Sequence, residues 1–97
     1  MTTPGMPQDL DHTFSATIGV DVKGEIWSCV EMPESTAFFG TGKAVKVNAT
    51  VDDQPVTTSF MPTGRGGHML SISAKLRKLL RKDIGDEVTV HLTQRLS

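Results

Sequence analysis

The residues of this chain best suited to holding a ligand are Gly64, Arg65, Gly66, Gly67 and His68. Closely spaced glycines let backbone N–H groups approach an anion, and Arg65 adds a guanidinium that can clamp a carboxylate or phosphate. The segment is not a nucleotide P-loop. No lysine followed by serine or threonine closes it, and an alternating run follows where a helix would be needed. It suits a small anionic ligand or a protein partner; its plain alternative is a flexible connection.

A second group is cationic. Lys75, Arg77, Lys78, Arg81 and Lys82 are half of the ten Lys and Arg residues and fall within eight positions. Such a patch can neutralise several phosphates, so nucleic acid or an acidic partner is the reading it invites, with a solvated helix face as the alternative. Neither a helix-turn-helix nor an aromatic RNA-binding motif accompanies it, and the chain has no tyrosine.

The other reactive side chains do not converge in sequence. Trp27 and Cys29 share one strand face, suited either to lining a cavity or to packing. His12, His68 and His91 are scattered, and Asp52-Asp53 reads as a turn pair, so no metal site, cofactor or catalytic set is expected. An enzyme would need a cavity that brings His68 or His91 to Cys29 or to a carboxylate.

Composition narrows the classes further. With 97 residues and a net charge of -1, the chain has the length of one domain and no global pull toward nucleic acid or anionic membrane. A single cysteine excludes an internal disulfide framework, and the cytoplasm is the expected compartment. Residues 1–12 carry neither a basic segment nor an apolar run; they read as a disordered tail before a domain spanning 13–97. Nothing in the sequence separates monomer from homodimer.

The elements that would position these groups are mostly strands. Phe14, Ala16, Ile18, Val20 and Val22 alternate with polar residues, then Lys23-Gly24-Glu25 turns the chain into a second strand, 26–32. On that strand Ile26, Ser28, Val30 and Met32 oppose Trp27, Cys29 and Glu31. Pro33 ends it, leaving 34–39 for one or two helical turns in which Phe38 and Phe39 plug the core. A hairpin follows, with Val45 to Val51 and Val56 to Phe60 on either side of Asp52-Asp53-Gln54-Pro55. After a short strand through Leu70 and Ile72, Ser73 caps a helix from Ala74 to about Lys82, with Leu76, Leu79 and Leu80 on the docked face. Gly85-Asp86 turns into a last strand through Val88, Val90 and Leu92. Connections this short exclude βαβ crossovers, so the fold expected is a small, helix-capped antiparallel β-barrel of about six strands.

Read together, F-S-A-T-I at 14–18, I-W-S-C-V-E-M-P at 26–33, F-F-G at 38–40, V-N-A-T-V-D at 47–52, G-R-G-G-H-M-L, the basic helix and G-D-E-V-T-V resemble the family called domain of unknown function nineteen-oh-five. The resemblance runs from Phe14 to Leu92 and implies a double-split β-barrel, with no activity or catalytic residue to carry over. That barrel class is in turn similar to swapped-hairpin domains of the AbrB and MazE type, whose dimers bind DNA. Two departures stand out: Gln54 takes the place of a turn glycine, and the final T-Q-R-L-S lacks the acidic finish of relatives.

Overall fold

A computed structural model describes residues 8–97. The chain runs through β1 (Gln8–Thr17), β2 (Val20–Val22), β3 (Glu25–Trp27), β4 (Cys29–Met32), α1 (Ser35–Phe39), β5 (Val45–Val51), β6 (Gln54–Pro62), β7 (His68–Ser71), α2 (Ala74–Leu80) and β8 (Glu87–Arg95). Six strands form one antiparallel sheet in the order β1-β8-β5-β6-β7-β4, and β2-β3 form a separate hairpin. The sheet curls into a half-barrel, the mainly β, helix-capped fold that alternation predicts. The first strand starts earlier than its apolar run suggests. Residues 8–12, expected in the tail, pair with β8 from Gln8↔Arg95 onward, while residues 1–7 lie outside the described residues. Cross-strand hydrogen bonds, which a reading of side-chain polarity does not count, hold this polar end.

Period two governs the core. Phe14, Val30, Met32, Val45, Val47, Ala49, Val51, Phe60, Leu70, Ile72, Val88, Val90 and Leu92 face inward and are buried together. Phe60 sits at its centre, with ring centroids 6.4 Å from Phe14 and 5.4 Å from Phe39. Phe39 closes one end: Arg95 Nη1 donates to its carbonyl at 2.8 Å and the guanidinium lies 5.7 Å from its ring. Phe38 does not share that role and stands 40% exposed.

What appears in sequence as one long first strand is broken at Ile18-Gly19. Ile18 N–H donates to the Asp86 carbonyl at 2.8 Å, its carbonyl accepts from Gly85 N–H at 2.9 Å, and Gly19 N–H donates to the Cys29 carbonyl at 2.8 Å. Gly19 takes φ 135, a value that an L side chain rarely adopts. The bend divides the apolar run, so Ile18 stays in the main core while Val20 joins Cys29 and Met69 in a second, smaller cluster.

The second strand is likewise broken at Ser28. Cys29 and Val30 are both buried, one in each apolar cluster, and Ile26, on the expected face of Val30 and Met32, is exposed. The Asp52-Asp53 turn has positive φ at both residues, 47 and 70, as a two-residue type I′ hairpin requires. Gln54 is consequently the first residue of β6 and needs no glycine.

In α2, Ser73 Oγ accepts from Leu76 N–H at 3.1 Å, as the cap predicts. The helix ends at Leu80, with Arg81 left-handed at its C-cap. Leu76 and Leu80 pack on the core, but Leu79 is 62% exposed, so the docked face is narrower than the three leucines imply.

The Gly19 bend gives a direct stability test. A Cβ there would carry φ 135 and touch the side chains of Ile84 and Ile26, whereas Gly42 has neither a positive φ nor a neighbour within 4 Å. Gly19→Ala should lower unfolding free energy by about 1 to 3 kcal/mol in urea titration, and Gly42→Ala by less than about 0.5 kcal/mol.

Candidate functional site

The glycine loop does form a wall of a cavity. Arg65, Gly66 and Gly67 face residues of β4 and the start of α1, including Glu31, Glu34, Ser35 and Thr36, across an open cleft of about 480 Å³. Gly64 and Gly66 have φ 84 and 89, so both rely on the left-handed freedom of glycine. Thr63 N–H donates to the Gly67 carbonyl at 2.9 Å, Arg65 N–H donates to Thr63 Oγ1 at 3.1 Å, and the Thr36 hydroxyl donates to the Gly66 carbonyl. These bonds fix the base of the loop and leave the Arg65 side chain outside them. That side chain is 57% exposed and its guanidinium meets Glu31 at 3.7 Å, a loose surface pair of little energy.

His68 occupies a different environment from the other four residues. It is fully buried at the start of β7, stacked edge-on against Phe39 with centroids 5.4 Å apart. Its Nε2 lies 2.8 Å from the Lys43 carbonyl, which can only accept, and its Nδ1 lies 2.7 Å from Ser35 Oγ. In the neutral ring, Nε2–H therefore donates to Lys43 and Nδ1 accepts from the Ser35 hydroxyl. The imidazole ties α1, β7 and the segment before β5 together beneath the cleft. It is not among the residues that line the cleft.

A serine hydroxyl on a histidine is also how a nucleophile is activated. Ser35, however, is 1% exposed, so the residue borders the cleft with its hydroxyl buried against His68. His91 Nε2 lies 2.8 Å from Asp11 Oδ1, but on an open sheet face where the Asp11 side chain is 93% exposed. Among the described residues no three His, Cys, Asp or Glu side chains gather as metal ligands. Burial pushes the Cys29 thiol above its ordinary pKa, and a hydrogen bond with Ser71 only partly offsets this, so the group stays protonated and weakly nucleophilic.

The five cations of the basic segment do not form one free patch. Arg77 donates through Nη1 to the Ile72 carbonyl at 2.6 Å and through Nε pairs with Asp83 at 3.2 Å. Lys82 Nζ donates to Asp52 Oδ2 at 2.5 Å and to the Glu87 carbonyl at 2.6 Å. Two of the five thus brace the helix against its neighbours. Lys75, Lys78 and Arg81 make no ion pair among the described residues. Asp86, whose Oδ2 accepts from Asp83 N–H at 2.9 Å, is a turn residue beside the patch.

Sequence spacing identifies the loop but not the wall it faces. Glu31, Ser35 and Thr36 enter the site because Glu34, with φ 56, swings the chain from β4 into α1. Pro33 marks the strand end in the sequence, yet nothing local shows that α1 packs beside residues some thirty positions later.

The sequence profile of one family, described as Domain of unknown function (DUF1905), matches residues 14–92. No curated protein matches the chain. Among the described residues no helix is long and apolar enough to cross a membrane.

The Lys82–Asp52 bond yields a pH test. Burial pushes the Asp52 carboxyl up, but the Lys82 hydrogen bond, Thr89 N–H and the lysine charge together outweigh it, leaving the pKa below its ordinary value. A carboxylate so lowered stabilises the fold fully above the ordinary value of about 4, and that contribution is lost as pH falls through the lower folded value. Asp52→Asn should cost about 1 to 2 kcal/mol at pH 7 and flatten this acidic limb of the stability profile, as read by urea denaturation between pH 2 and 7.

Proposed function

The chain belongs to the DUF1905 family, and we propose that it acts as a non-enzymatic binding module whose ligand or partner enters the cleft between α1 and the glycine loop. The observation that carries this reading is the Arg65 guanidinium: exposed, on the cleft wall, and paired among the described residues with Glu31 alone, at 3.7 Å. A carboxylate or phosphate, free or on a partner's surface, can displace that weak pair and gain a bidentate contact. Gly66 and Gly67 let it approach the backbone, and His68 keeps the cleft floor in place from below. The Ser35 hydroxyl is buried and Cys29 is not among the residues that line this cleft, which supports binding over catalysis.

The alternative, nucleic acid on the basic helix, loses weight because Arg77 and Lys82 are engaged. Lys75, Lys78 and Arg81 are the cations left to meet phosphates. If that surface does bind duplex DNA, the slope of log K against log salt should be no steeper than about -3.

Backbone amide shifts on titration with inorganic phosphate and with succinate test the first reading. Shifts should centre on Arg65, Gly66 and Gly67, weaken at least fivefold in Arg65→Ala, and strengthen in Glu31→Gln, which removes the competing carboxylate. Shifts indifferent to both substitutions would sink the cleft reading; a parallel DNA titration at 50 and 200 mM salt tests the alternative.

A further inference from the structure

The glycine loop has a second side. Where Arg65 and Gly66 face the polar cleft, Gly64 borders a groove of about 470 Å³ that also includes Lys23, Trp27, Cys29, Met61 and Met69. Its floor is the small hydrophobic cluster set off by the Gly19 bend, with Cys29 and Met69 only 6% and 5% exposed. Its upper walls are unfilled. Trp27 and Met61 are 44% and 49% exposed, leaving an indole and a flexible thioether at the surface over a buried apolar floor. A cavity of this volume, mostly apolar and bordered by a few polar groups, has the form of a small-molecule site.

The groove is also electrostatically one-sided. Among the described residues, Lys23 is the one charged side chain in its lining. Its place is fixed by the β2–β3 turn, where Lys23 and Gly24 take φ 54 and 87 and Asp21 Oδ1 accepts from Gly24 N–H at 2.9 Å. Lys23 forms no ion pair among the described residues. Two carboxylates of the same hairpin, Asp21 and Glu25, lie outside the lining; Asp21 is held by Gly24 N–H, and Glu25 Oε2 accepts from Trp27 Nε1 at 3.5 Å.

We propose that this groove binds a small amphipathic carboxylate, its aromatic or branched apolar body resting on Trp27, Met61 and Met69 and its anionic head on Lys23. The apolar walls favour the body by removing it and the half-exposed Trp27 and Met61 from water. Methionine adapts to ligand shape, and the lone cation orients the head outward, where its charge stays partly solvated. This site is distinct from the Arg65 cleft and stands or falls without it.

Trp27 is the single tryptophan and the chain has no tyrosine, so intrinsic emission reports the groove directly. The probe is 3-phenylpropionate, with neutral 3-phenylpropanol as its charge control. The expected result is a saturable blue shift at millimolar 3-phenylpropionate, with slower reaction of Cys29 toward a thiol reagent. Met61→Asp should abolish the shift. Lys23→Asn, which keeps a residue tolerant of the left-handed turn, should weaken the acid about fivefold and leave the alcohol unchanged. Arg65→Ala should have no effect, which separates failure here from failure of the cleft reading. The proposal is overturned by no saturable shift with either probe, by equal affinity for acid and alcohol, or by a blue shift that grows with protein concentration alone, which would make a second copy the occupant.

Discussion

The arrangement of this molecule depends on the hydrogen bonds around Ile18 and Gly19. There three chain segments meet: the end of β1, the start of β4 and the turn before β8. A straight continuation of β1 would leave Val20 and Val22 extending the outer edge of the half-barrel. Because Gly19 can take φ 135, the chain folds over instead and the β2–β3 hairpin becomes a flap beside the sheet. One backbone conformation thereby separates a main core from a second apolar cluster, and the groove above that cluster exists only because the hairpin is held at its side.

The glycine loop shows how the two cavities share one short connection. Its base is hydrogen-bonded by Thr63 and Gly67, its outer side chain is Arg65, and the buried His68 anchors the strand it enters. Rigid support below and glycine freedom above is the usual physical division for a binding loop, since the scaffold absorbs the entropy cost of positioning before any ligand arrives. The α2 cations follow another logic. Arg77 and Lys82 end on carbonyls and carboxylates of neighbouring segments, so the charge there braces a seven-residue helix with no buried residue.

Much of the fold was legible in the sequence, because alternation depends on local spacing: Val45 to Val51 and Val88 to Leu92 are buried at every second residue, as written. The Ser73 cap and the Gly85 turn were legible for the same reason. What could not be read were events set by partners distant in sequence. Alternation reads residues 26–32 as one continuous strand, whereas the break at Ser28 follows from bonding to β7 and Gly19. For the candidate site, the loop residues were evident from composition. The buried state of His68 was not, since a histidine after glycines looks the same in sequence whether it faces solvent or Ser35.

The pairing of Gln8 with Arg95 places the first residue of β1 beside the last residue of β8. From that pole, β1 runs its ten residues, roughly 30 Å at strand rise, before reaching the bend that borders the groove. The start of β1 and the end of β8 thus share one pole of the sheet, at the far end of β1 from the bend. In engineering terms the fold is a plug-in lobe: it suits insertion through a single surface loop of a host protein, or circular permutation across a short bridge, at the pole opposite the groove.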